Sequence, residues 1–191
     1  MTTPTALDVV SVSLARQFLR GAPSGSVQDD VIGVLIGGAV EWLESTLGLF
    51  LYPRANTDYL DGGLEMLQPM RHPITALTEV YDTRTLAVLD ETQYRLEGER
   101  ILYGTGIERT YPWPDGLGRW RVSYTAGYAV GAVPAGLIEA VLQLVFRSFQ
   151  ARGGVSSQGS QGITESFNTW SNLATSDLWA KIQPYRKGAR F

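Results

Sequence analysis

The residues that could do chemistry are few. His72 is the sole histidine, and the chain has no cysteine. A Ser-His-Asp arrangement would have to use that one imidazole. It stands beside Pro73, with no serine near it in sequence and no G-x-S-x-G elbow in the chain. A surface or edge histidine is the plainer reading. One histidine without cysteine also excludes a His-rich or Cys-ligated metal site. Two acid pairs, Asp29-Asp30 and Asp90-Glu91, invite a paired-carboxylate reading. Neighbours on a helix point in different directions, so Asp29-Asp30 reads better as a complement to a helix dipole, and Asp90-Glu91 as a turn. Gly104-Thr105-Gly106 has no third glycine and no Lys-Ser/Thr after it, so it is not a phosphate cradle. Tyr111, Trp113 and Trp120 with Arg119 and Arg121 could stack bases. Such residues more often close a small sheet. The residue types point to binding rather than catalysis, and they imply no cofactor and no metal.

The elements that would position these groups centre on Ser26 to Gly48. Ser26 is a plausible N-cap, Asp29 and Asp30 fall in the first turn, and Gly48 follows Leu47 as a C-terminal stop. At 100° per residue two apolar stripes appear: Val31, Val34, Leu35, Trp42 and Thr46, then Ile32, Ile36, Val40, Leu43 and Leu47. A helix apolar over most of its circumference is a buried one. On the narrow polar stripe, Gly33 and Gly37 each cost ~1 kcal/mol against alanine. They serve either tight packing inside the fold or contact with a neighbouring copy of the chain.

Before that helix, Thr2 to Val10 reads as an extended lead-in. A short helix capped by Ser11 or Ser13 follows, with Leu14, Phe18 and Leu19 on one face, and Ala22 to Gly25 reads as a linker. After the long helix the period drops to two. Three hairpins are expected: around Asp61-Gly62-Gly63, around Asp82-Thr83-Arg84, and around Glu97-Gly98-Glu99. Gly104 to Gly118 is a long loop, and Trp120 to Tyr124 alternates again. Pro134 opens a third helix with Leu137, Val141, Leu144 and Val145 on one face. Val155 to Gly162 is Ser, Gln and Gly, a flexible linker. Beyond it lie Phe167, Trp170 and a short helix near Ser176 to Gln183, large apolar groups that expect something to dock on. The expected fold is α+β: a mainly helical bundle of three principal helices, a small antiparallel sheet of hairpins and an extended C-terminal tail. Residues 1–154 form the body and residues 155–191 the linker and docking tail.

The apolar fraction, 44% of 191 residues, is ample for a core. No run reaches the ~18 apolar residues of a membrane span, and Met1 to Ala6 lacks the layout of a signal peptide. Production in a cytoplasm is therefore expected. The net charge of −3 is unevenly placed: residues 1–116 hold eight arginines against sixteen acids, and residues 117–191 eight basic residues against three acids. That asymmetry suits self-complementary or partner-directed electrostatics, and it falls short of a nucleic-acid footprint.

Three stretches, in this order, carry a family resemblance. They are Thr92-Gln93-Tyr94-Arg95-Leu96-Glu97-Gly98 with Arg100-Ile101-Leu102; Tyr124-Thr125-Ala126-Gly127-Tyr128 with Val133-Pro134; and Gly162-Ile163-Thr164-Glu165-Ser166-Phe167 with Gln183-Pro184-Tyr185-Arg186. Together with the helix order they resemble the head–tail connector (adaptor) proteins of tailed bacteriophages. Asn56 to Met70 departs from that pattern, being longer than expected. The resemblance implies a non-enzymatic virion part at the head–tail interface. Copies would form a ring, commonly of twelve, beneath the portal, extend the DNA channel without reading sequence, and dock a head-closure or tail protein. It implies portal docking by Phe167, Trp170, Leu178, Trp179, Tyr185 and Arg186, with Gly33 and Gly37 as the subunit contact. The competing reading is a small cytoplasmic enzyme or a nucleic-acid-binding module with a site not visible in sequence.

Overall fold

The structure, a computed structural model, describes residues 3–19, 26–106, 109–153 and 176–186. The fold is α+β, with antiparallel sheets. Its described residues fall into two compact units: one takes the chain up to Leu47 and from Val130 onward, and the other is Gly48–Ala129. The linkers read at Ala22 to Gly25 and Val155 to Gly162 lie outside the described residues.

The first unit is helical. Where an extended lead-in was expected, α1 (Ala6–Val9) forms, because Thr5 and Asp8 complete a reciprocal capping box. Next, α2 (Val12–Phe18) is capped by Ser11, whose hydroxyl accepts from the Leu14 N–H at 3.2 Å. Its buried residue is Ala15, while Leu14 and Phe18 are each 40% exposed. The long helix α3 (Ser26–Leu47) runs as its pattern predicts, and Gly48 at φ 72 takes the left-handed stop that a Cβ would strain. The stripe Ile32, Ile36, Val40, Leu43 and Leu47 is buried throughout. The other stripe is not: Leu35 is buried, but Val34 is 69% exposed. The last long helix, α4 (Ala135–Gly153), begins just after Pro134, whose carbonyl accepts from the Leu137 N–H at 2.9 Å. Leu137, Ala140, Val141, Leu144 and Val145 are buried on it. Phe18 meets Phe146 edge-on at 6.0 Å, holding α2 to α4. A short α5 (Ser176–Ile182) packs against α4. The described helices are thus two long ones and three short ones, against the three principal helices expected.

The second unit is β. Strands β1 (Arg54–Leu60), β3 (Ile74–Asp82), β4 (Ala87–Val88) and β8 (Trp120–Ala126) make one sheet in the order β1-β8-β3-β4. Strands β2 (Met66–Leu67), β5 (Tyr94–Glu97) and β6 (Arg100–Gly106) make another in the order β2-β6-β5, with β7 (Arg109–Tyr111) also on β6. The hairpins at Asp82–Leu86 and Glu97–Glu99 form as expected, β3 with β4 and β5 with β6. The one expected around Asp61-Gly62-Gly63 does not. There β1 pairs with β8, and β2 pairs with β6. A two-residue period identifies a strand but not its partner, and the alternation Trp120, Val122, Tyr124, Ala126 gives β1 and β3 a buried face to share. The core of this unit is Leu67, Val80, Ile101, Trp113, Trp120, Val122, Tyr124 and Ala126. Gly127, at φ 120, closes the segment read as Tyr124 to Tyr128; any Cβ there would strike the Tyr52 carbonyl.

Candidate functional site

The chemically suggestive residues are placed structurally. His72, read as a surface or edge histidine, stands just ahead of β3 in a single bridge with Leu49 but is only 7% exposed; its carbonyl accepts from the Phe50 N–H at 2.9 Å. Asp29 pairs with Arg16, and the Asp90 carboxylate caps a 3₁₀ turn by accepting from the Thr92 N–H at 2.9 Å. No group of three His, Asp or Glu side chains able to hold a metal occurs among the described residues. No described helix is long and apolar enough to cross a membrane.

Of the aromatic residues read as a possible base-stacking platform, Trp113 and Trp120 present no free ring face, and the Tyr111 side chain lies outside the described residues. Trp113 and Trp120 are buried, their rings meet at 4.8 Å, and their indole N–H groups donate to the carbonyls of Ile101 and Pro114. Arg119 is held by Asp82 and Arg121 by Glu79 at 2.5 Å. These side chains close the sheet, the plainer of the two readings made from sequence.

What remains are surfaces. On α3, Gly33 and Gly37 are half-buried, and a Cβ built on either meets nothing within 4 Å. No described segment therefore packs closely on them. Val34, between them in sequence, is exposed; on α1 and α2, Leu7 and Leu14 are exposed too.

The C-terminal helix is the second surface. Leu178 and Ile182, one turn apart, are fully buried. Trp179 meets Trp42 of α3 edge-on at 5.5 Å. Lys181 Nζ donates to Glu139 Oε1 of α4 at 2.5 Å, which holds the Glu139 carboxyl below its ordinary pKa. Gln143 Nε2 donates to the same oxygen at 2.9 Å. Tyr185 crosses the bare Cα of Gly136, where an added Cβ would lie 3.0 Å from its hydroxyl. Asp177, Gln183 and Arg186 face outward, exposed. Of the residues expected to dock on a portal, the structure thus brings Leu178, Trp179 and Tyr185 together on the chain's own helices and leaves Arg186 exposed. Phe167 and Trp170 lie outside the described residues. Sequence reasoning missed the other half of this contact: Trp42, Gly136 and Glu139. The signal available was Trp42 on the less buried stripe of α3, where an indole needs a cover.

A third surface was not read from sequence. At one end of the larger sheet, three turns are hydrogen-bonded together. Gly62 N–H donates to the Gly116 carbonyl at 2.8 Å, Gly118 N–H to Asp61 Oδ1 at 2.6 Å, and Thr83 N–H to the Arg119 carbonyl at 2.9 Å. Those turns carry the exposed Leu64, Leu86 and Leu117, the last 92% exposed.

No protein-family model matches the sequence, and no curated protein matches it. The fold, however, is shared with solved particle components. A chain in a structure described as the neck of an empty GTA particle computed with C6 symmetry superposes with a TM-score of 0.62 at 19% identity, covering 97% of this chain and 93% of that one. A chain in the virion of a native gene transfer agent (GTA) particle gives 0.62 at 18% identity, with the same coverage. One in the neck of a native GTA particle computed with C12 symmetry gives 0.56 at 16% identity, covering 97% and 92%. The matched length takes in residues of both units.

Proposed function

We propose that this chain is a structural, non-enzymatic component of the neck of a phage-like particle, a head–tail connector that works by binding alone. The observation that carries this reading is a fold shared over 97% of the chain with neck and virion chains of gene transfer agent particles. The sequence resemblance to connector proteins points the same way. In the assembled virion, copies form a ring, commonly of twelve, beneath the portal. The ring extends the DNA channel and offers its far side to a head-closure or tail protein. The symmetric necks of the neighbours support a ring.

Gly33 and Gly37 form the subunit contact. The open space over both favours this over internal packing. Phe167, Trp170 and Arg186 form the portal-facing surface, with Leu178, Trp179 and Tyr185 anchoring it. The buried Trp113 and Trp120 weigh against a nucleic-acid-binding module. Size-exclusion chromatography with light scattering, followed by imaging of the particle that contains the chain, tests the reading. A ring at the neck is expected, with no turnover and no salt-sensitive DNA affinity. A chain absent from particles, or one that binds DNA tightly with a steep salt dependence, would overturn it.

A further inference from the structure

We propose that α5 is an exchanged element, seated in the assembled ring on the α3–α4 surface of the neighbouring copy. The occupant of that surface is thus a second copy of this chain. The inference rests on the ring reading above and says how the copies are joined.

The seat is complete and specific. It offers Trp42 to Trp179, Glu139 to Lys181 and the bare Cα of Gly136 to Tyr185, and it buries Leu178 and Ile182 fully. Its named partners, Trp42, Gly136 and Glu139, lie on α3 and α4, so every copy carries an identical set. The contacts are the same whether the helix comes from its own chain or the next.

The length of the connection favours the next. Packed helices are ordinarily joined by about 2–8 residues. Here α4 ends at Gly153 and α5, which packs on α4, begins at Ser176, with 22 residues between them. Closing a longer loop costs only slowly more. In a ring the neighbour's seat is held at high local concentration. Exchange of an identical element is a low-cost route to assembly, and repeated head to tail it closes a ring.

The chain has no cysteine, so Glu139→Cys and Lys181→Cys place unique thiols at the two ends of a half-exposed ion pair. The two single variants are co-expressed, the oligomer is isolated by size exclusion with light scattering, and a short bis-maleimide is added. Exchange predicts covalent dimers at about one interface in four, the random-mixing share for a head-to-tail contact. It also predicts a ladder of covalent multimers from the doubly substituted chain. An oligomer that yields no covalent dimer, while the double variant links only within itself, overturns the exchange and leaves the ring standing. A chain that remains monomeric at every concentration, alone and in particle extracts, removes the ring reading and the exchange with it.

Discussion

Asp82 and Arg119 close one end of the larger sheet with a two-point ion pair: Nε donates to Oδ1 at 3.0 Å and Nη2 to Oδ2 at 2.7 Å. Asp82 is 3% exposed, and Oδ1 also accepts from the Arg84 N–H at 2.9 Å. The Arg119 guanidinium, helped by backbone N–H groups and opposed by burial, brings the carboxyl from 3.8 down to about 2. Its folded pKa is depressed, so the stabilisation is complete above about pH 5 and fades as pH falls through 3.8 toward 2. A shift of that size corresponds to about 2 kcal/mol. Asp82→Asn should therefore lower the urea midpoint at pH 7, and the gap to the parent chain should close near pH 2. A gap that persists at pH 2 would show that the carboxylate is not its source.

Tyr124 and Asp58 form the second buried polar contact. The phenol donates to Asp58 Oδ2 at 2.6 Å while accepting from Asn56 Nδ2 at 2.9 Å and the Arg71 N–H at 3.0 Å. Burial, then the bond to Asp58, pushes the phenol from 10.0 up to about 12. The folded pKa is raised, so this stabilisation is present below pH 10 and lost as pH rises through 12. Tyr124→Phe leaves a buried carboxylate oxygen one donor short, costing about 1–3 kcal/mol at neutral pH. The variant should lose less stability between pH 10 and 12 than the parent, measured by chemical denaturation across that range.

The same two contacts mark where sequence reading stops. The strand β8 was legible because Trp120, Val122, Tyr124 and Ala126 alternate with Arg121, Ser123 and Thr125. Helices α3 and α4 were legible from their apolar stripes and end signals, and α2 from its Ser11 cap. That Asp58 lies opposite Val122, 64 positions along the chain, was not legible, because partner choice in a sheet depends on faces that only the folded unit defines. The candidate surfaces divide in the same way. The glycine spacing on α3 and the apolar C-terminal helix were readable as unusual. Gly136 and Glu139 were hidden among ordinary helix residues, and nothing in the sequence paired them with Trp42. The three exposed leucines on the turns gave no periodic signal.

Leu86 is held at φ 57, a left-handed conformation that is unfavourable for a leucine, and its side chain is 73% exposed. Little packing compensates for that strain. Leu86→Asn, a residue that tolerates this region, should raise the melting temperature by an amount equivalent to about 1 kcal/mol. A thermal melt of the two chains decides it. A lower melting temperature in the variant would mean that Leu86 packs more than its exposure suggests.

A Cβ at Gly33 meets no neighbour within 4 Å. Gly33→Leu should therefore leave the folded monomer intact, with a melting temperature equal to or slightly above the parent's, since a glycine inside a helix costs ~1 kcal/mol. The same side chain would stand in the proposed subunit contact and block ring formation. Light scattering and a melt on one preparation separate the possibilities. Normal assembly with an unchanged melt would remove Gly33 from the interface. A lowered melt, of the ~1–3 kcal/mol expected from overpacking, would mean internal contact.

Leu178 is fully buried in the first unit although it lies near the end of the chain. The sequence reading set residues 155–191 apart from the body as a linker and docking tail. The packing of α5 on α4 and of Trp179 on Trp42 gives a different expectation. Leu178→Ala removes buried methyl groups and leaves a cavity, a change that typically costs about 2–5 kcal/mol. Truncation after Gly153 goes further, uncovering Trp42 and Glu139 together. The truncated chain should melt below Leu178→Ala, which in turn melts below the parent. Adding the separate 176–191 peptide should recover part of the loss, because the seat on α3 and α4 is intact. The recovery should saturate with peptide concentration and vanish for a peptide carrying Trp179→Ala. A truncated chain that melts like the parent would show that α5 does not stabilise the body, and one that no peptide restores would show that α5 does not recognise that seat.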